Sequence, residues 1–234
     1  FYFFRKNSSL LRLGKTRWDG KAILRACING SSEFMSTISM SLVGILYNLQ
    51  LMAYAGENGI AAYGVMMYVS MIFSATFVGF TVGGAPVISY HYGAGNQDEL
   101  KNLFRKSLRL IGTWGIMLAL LSQLLAAPLS KLFVGYDAEL FAMTEHGFRI
   151  YCLAYLINGF NIFGSSFFTA LNNGVISAAI SFLRTLVFQI IMILLLPTLL
   201  GINGIWSAVG IAELMTLCVT ITFFIKQRKK YHYV

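Results

Sequence analysis

Five long stretches of this chain carry no Asp, Glu, Lys or Arg: 34–55, 61–97, 110–130, 150–183 and 185–212. They alternate with short basic clusters at Arg5–Arg25, Lys101–Arg109 and Lys226–Lys230, which hold all the Lys and Arg except Lys131, Arg149 and Arg184. Charge is expensive in hydrocarbon, and Lys and Arg favour the cytoplasmic side of a bilayer. A chain patterned in this way crosses a membrane several times. Only 12% of its 234 residues are charged, against about a quarter in soluble domains. Six segments reach the roughly 20 apolar residues that a membrane helix needs. They are 33–55, 61–84, 110–130, 148–171, 175–197 and 204–225. The expected fold class is therefore all-α, a polytopic membrane protein with six transmembrane helices.

The charge also sets an orientation. The segment before the first span, the second-to-third connection and the tail are basic, whereas the opposite side holds only Lys131 and Arg149. The basic clusters are expected in the cytoplasm, next to anionic membrane lipids, with both ends of the segment on the cytoplasmic side of a plasma (inner) membrane. The formal charge of +9 is thus no nucleic-acid signal, since no basic face with interleaved aromatics appears. Phe1–Phe4 runs straight into Arg5 and Lys6 like the inner end of a further helix, so the chain is expected to belong to a longer protein.

Three units follow. Residues 1–30 hold the end of a preceding helix, a basic linker and an amphipathic helix. Residues 31–225 form the transmembrane lobe, with an amphipathic cytoplasmic helix at about 96–109. Residues 226–234 form a basic cytoplasmic tail. Asn96 is placed to cap the helix at 96–109, with Asp98 and Glu99 in its positive first turn. The turns GENGI at 56–60 and GINGI at 201–205 are alike, too briefly to define a repeat.

Ionisable groups inside a membrane are functional candidates. Glu33 stands at the cytoplasmic end of the first span, where it would carry a coupling proton, meet a cationic substrate, or simply mark the boundary. Arg184 lies about 8 residues into the fifth span, about 12 Å of helix rise. Glu213 lies near the middle of the antiparallel sixth span. Their matching depths predict a structural intramembrane pair. In the fourth span Asn158, Asn161, Ser165 and Thr169 share a face, suited to a water-filled pathway or to helix packing. Pro86, after Gly83 and Gly84, is a site for a helix bend. No nucleophile–base set, phosphate loop, nucleotide-binding motif or metal-ligand spacing is present, and Cys27, Cys152 and Cys218 are scattered. Enzyme chemistry, a metal centre and an organic cofactor are not expected.

The run Gly83-Gly84-Ala85-Pro86-Val87-Ile88-Ser89-Tyr90-His91-Tyr92-Gly93-Ala94-Gly95-Asn96 resembles the C-terminal half of the multidrug and toxic compound extrusion (MATE) transporters. So do 158–163, 165–168, 180–184, 204–206 and 212–214, in the same order. The resemblance implies one lobe of a twelve-helix antiporter, working by alternating access. It implies small-molecule substrates, amphipathic and often cationic, exported against Na⁺ or H⁺. The N-terminal six-helix lobe would be its partner. Glu33 falls where some sodium-coupled members carry a Glu, and Asn161 falls where they carry an Asp. Other classes considered are a lipid-linked oligosaccharide flippase of the same superfamily, a membrane enzyme and a non-transporting scaffold.

Overall fold

The computed structural model describes residues 18–233, without the side chains of Ser32, Glu33 and Met35. The expected helix end at Phe1–Phe4 and the basic residues before Trp18 lie outside the described residues. Seven α-helices carry the described chain: α1 (Gly20–Gly93), α2 (Gln97–Val134), α3 (Ala138–Tyr151), α4 (Tyr155–Ala170), α5 (Gly174–Phe182), α6 (Phe188–Leu200) and α7 (Ile202–Tyr231). A 3₁₀ turn, Cys152–Ala154, joins α3 to α4, and a π-helical segment, Leu183–Val187, joins α5 to α6. No strand occurs among the described residues. Among the described residues, five continuous helical stretches are long and apolar enough to cross a membrane.

The first of them is two spans. At 74 residues, an unbroken α1 would be about 110 Å long, far beyond a hydrocarbon core of about 30 Å. The chain reverses at Gly56, whose φ of 60° and ψ of −151° are non-helical. Tyr47 and Tyr63 prove the reversal. In a continuous helix they would be about 24 Å apart, yet their rings stack at 4.7 Å. With α3 and α4 forming one span, and α5 and α6 another, the lobe has six membrane-long segments. The second hairpin turns at Gly201, with φ 57° and ψ −137°. The two similar sequence turns thus share a backbone conformation that residues with a Cβ scarcely populate.

α4 occupies the centre, touching α1, α2, α5 and α7. Phe163, Phe167 and Phe168 on α4 meet Phe104 of α2 and Phe224 of α7 at one end of the bundle. Towards the Gly56 and Gly201 turns, Gly147 of α3 sits under Trp206 and Met66. A Cβ there would lie 2.5 Å from Met66 Cε and 2.9 Å from Trp206 Cε2. The outer surface is apolar, with Met71 74% and Leu124 76% exposed. Lipid, unlike water, makes such a surface cheap.

Three of the segments read from the sequence run on into longer helices, and the amphipathic helix within residues 1–30 is the start of α1. The amphipathic segment at 96–109 is no separate interfacial helix but the first turns of α2. Asn96 does cap it, accepting from Glu99 N–H at 3.1 Å, and the helix then runs unbroken to Val134. Nothing between Gln97 and Arg109 interrupts it, because no Gly or Pro falls there. Its apolar face, with Leu100 and Phe104 buried, packs into the lobe rather than into lipid. The basic tail is likewise largely helical, since α7 continues to Tyr231. His232 then adopts a left-handed conformation with φ 53°, and the chain folds back. Tyr233 becomes fully buried against Phe104 and Phe167. Burial pushes its phenol pKa up, with a smaller push from Tyr231. The hydroxyl stays protonated and donates to Phe224 O at 2.8 Å.

Candidate functional site

The polar residues of the spans converge on α4. Leu183–Val187 is π-helical, which takes one extra residue into the helical ladder and re-aims the side chains around it. Arg184 sits in that segment. Its Nε donates to Glu213 Oε1 at 2.9 Å and Oε2 at 3.1 Å. Its Nη2 lies 2.8 Å from Glu213 Oε1 and donates to Asn158 Oδ1 at 2.6 Å. Asn161 Nδ2 donates to Glu213 Oε2 at 2.7 Å and to the Glu213 carbonyl at 2.8 Å.

Two outer partners complete the set. Thr220 Oγ1 donates to Asn161 Oδ1 at 3.1 Å. Asn158 Nδ2 donates to Ser74 Oγ at 3.3 Å. One connected network therefore joins α1, α4, the π segment and α7. Glu213 is 3% exposed and Asn161 fully buried. In such a low-dielectric interior an isolated charge is very costly, and a paired, hydrogen-bonded one is tolerated.

The structure thus brings together Arg184 and Glu213, as their depths predicted, and joins Asn158 and Asn161 to them. Sequence reasoning did not find the two Asn contacts, nor Ser74 and Thr220. Helical spacing shows that residues share a face, not what the face meets.

Ser165 belongs to a different cluster. Its hydroxyl lies 2.9 Å from Ser177 Oγ and 2.8 Å from Ser181 Oγ. Thr169 Oγ1 is 2.6 Å from Ser177 Oγ. This hydroxyl ladder satisfies itself between α4 and α5, as small polar residues do at membrane helix contacts. Pro86 lies within α1, whose dihedral angles stay helical from Glu57 to Gly93. Glu33 lies on the first arm of α1, and its side chain is outside the described residues.

Recesses open on the lobe among the described residues. One of about 260 Å³ is lined by Thr76, Phe77, Phe80, Leu110, Ile111 and Trp114. It is almost wholly apolar, with Trp114 Nε1 donating to Thr76 Oγ1 at 3.0 Å. Its walls Phe77 and Ile111 close on Gly159, the neighbour of Asn158. A smaller recess of about 190 Å³ includes Arg25, Asn29 and Asn173, where α1 crosses the start of α5.

The fold defines an all-helical polytopic membrane protein. A family model described as MatE matches residues 34–195, and the chain belongs to that family, the MATE transporters. Multidrug export protein MepA of Staphylococcus haemolyticus is 25% identical over 228 residues, covering 96% of this chain and 48% of the relative. MepA of Staphylococcus aureus is 23% identical, covering 95% and 49%. The chain spans about half the length of the curated relatives it matches.

Solved structures agree on the fold. A MATE crystal structure in complex with MaL6 superposes with a TM-score of 0.87 at 18% identity, over 100% of this chain and 53% of that one. MATE in the bent conformation gives 0.88 at 18% identity, over 98% and 51%. A MOP superfamily transporter from Pyrococcus furiosus, described as having a binding pocket of reverse polarity, gives 0.81 at 18% identity, over 91% and 48%.

Proposed function

We propose that the chain forms one six-helix lobe of a multidrug exporter that moves amphipathic small molecules out of the cell by alternating access, in exchange for Na⁺ or H⁺. Its partner is a second six-helix lobe, and its setting is the plasma membrane, with both ends of this segment cytoplasmic. The observation that carries this reading is the charged, hydrogen-bonded network buried inside the bundle. A bundle built only for packing gains little from burying Arg184 and Glu213, because apolar residues of similar volume are often as stable or more so. A network linking four helices gives a moving lobe a rigid interior and leaves its polar edge for cargo. The likeness to MepA, a multidrug export protein that this chain matches over 48% of its length, supports the same reading.

Within it, Asn158 and Arg184 form the polar edge, Asn161 and Glu213 the anchor, and Ser165 a packing contact. Glu33 serves the coupling ion. Pro86 bends the inner half of α1 as the lobe rocks. The chemistry is transport and not catalysis.

The test is dye export by the full-length protein in everted vesicles from efflux-deficient cells, with a proton or a sodium gradient imposed in turn. Expression is expected to produce export that one of the two gradients drives. Export equal to that of empty vesicles under both gradients would refute the reading.

A further inference from the structure

The hydrogen-bonding capacity of the intramembrane network is unevenly filled. A carboxylate offers about four lone-pair sites, and each Glu213 oxygen already has two partners. Oε1 faces Arg184 Nε and Nη2, and Oε2 faces Arg184 Nε and Asn161 Nδ2. Asn161 uses both ends of its amide on Glu213 and Thr220. Asn158 uses both ends on Arg184 and Ser74. A guanidinium carries five N–H donors. Those on Nε and Nη2 are engaged, whereas the two on Nη1 meet no acceptor among the described residues. Arg184 is also the open member of the pair, with 19% of its side chain exposed against 3% for Glu213.

We propose that Arg184 Nη1 is a substrate-binding point for an anionic oxygen, so that this lobe selects amphipathic compounds bearing a carboxylate or sulfonate on an apolar aromatic body. The inference rests on the export function proposed above and names its cargo class. Three considerations lead to it. The Glu213 carboxylate is already paired with Arg184 and accepts from Asn161, so its charge is matched within the protein and a cation gains little there. An Arg with a free edge has donors in a fixed planar geometry that suits a carboxylate. And a partly desolvated donor pair inside a bilayer gains more from an acceptor than the same pair would in water, because an unmet polar group is costly there. Ser74, Asn158, Glu213 and Asn161 hold the guanidinium plane in place, so little ordering remains to be done when cargo arrives.

The probes are two xanthene dyes that differ in one group: a dye with a free carboxylate, and its methyl ester, a permanent cation. Equilibrium binding of each to the purified full-length protein is followed by fluorescence anisotropy, beside export in vesicles. Arg184→Lys keeps a positive charge opposite Glu213 and removes the planar Nη1 edge. It is expected to lower the ratio of carboxylate to ester affinity about tenfold, as for loss of one charge-assisted hydrogen bond. Glu213→Gln loosens the hold on the guanidinium and exposes more of its charge, so the ratio is expected to rise. Should Arg184→Lys fail to elute as a folded protein, Glu213→Gln carries the test alone. A ratio that stays at the wild-type value in the folded variants, or that falls in both, overturns the assignment. Wild-type protein that exports neither dye refutes the transport reading, and the binding ratio still decides this one.

Discussion

Replacing Arg184 by Ala isolates the electrostatics of the network. The change removes three contacts to Glu213, at 2.8, 2.9 and 3.1 Å. It also removes the 2.6 Å bond to Asn158. Glu213, 3% exposed, then keeps Asn161 and nothing else. Breaking a buried pair by deleting one partner costs about 3–5 kcal/mol. The partial exposure of Arg184 moves the expectation to the lower end, about 3 kcal/mol. For a chain of this size 1 kcal/mol shifts Tm by about 2–4 °C, and in a longer protein by less, so the full-length variant should melt several degrees lower. The double variant Arg184→Ala with Glu213→Gln leaves unmet dipoles and a small void but no orphan charge, and should regain about half of the loss. The assay is thermal unfolding of the purified full-length protein, followed by size-exclusion yield, across the four members of the cycle. A coupling below about 0.5 kcal/mol, the level at which independent sites add, would refute the claim that the pair acts as a unit.

Gly174→Ala places a methyl group 2.5 Å from Asn29 Cα and 2.6 Å from Ile28 O, both backbone atoms that cannot turn aside. It should destabilise by about 1–3 kcal/mol and increase proteolysis of the segment preceding the first span; unaltered cleavage would disprove the contact. Tyr233→Ala should lower stability by about 3 kcal/mol through loss of its aromatic contacts, while Tyr233→Phe should lose only about 1 kcal/mol with the hydroxyl bond; thermal melts separate the two, and equal losses would contradict the packing described. Glu33→Gln should reduce export of whichever dye the wild-type protein moves, across a pH series, and unchanged export would remove Glu33 from the coupling step.

The spans, their order and the pairing of Arg184 with Glu213 were legible because they depend on length and depth, which a linear sequence records directly. Gly56 and Gly201 were legible as turns, since each opens a short Gly- and Asn-containing motif between two membrane-long segments. The partners of Asn158 and Asn161 were not. Their shared face was visible, but whether it met water or another helix depends on how α7 rotates about its axis. The π segment left no trace, because Leu183–Val187 reads as ordinary helix until a neighbour fixes where Arg184 must reach. The fold-back of Tyr233 was obscured by the four basic residues before it, which suggested a solvated tail although the aromatic residues flanking His232 were in view. The continuity of α2 could have been found: no Gly or Pro between Gln97 and Arg109 gave the helix a reason to stop.

The π segment has a consequence for comparing this chain with its relatives. One surplus residue in a helical ladder offsets everything beyond it by about 100° around the axis. A relative without the surplus residue would present a different side of α6 to α7 with no change in loop length or hydropathy. A gapless alignment across this span would then mispair every position after Val187. Deleting one residue between Leu183 and Val187 would perform the same experiment on this protein, rotating α6 relative to α5 while leaving the composition of the span almost untouched.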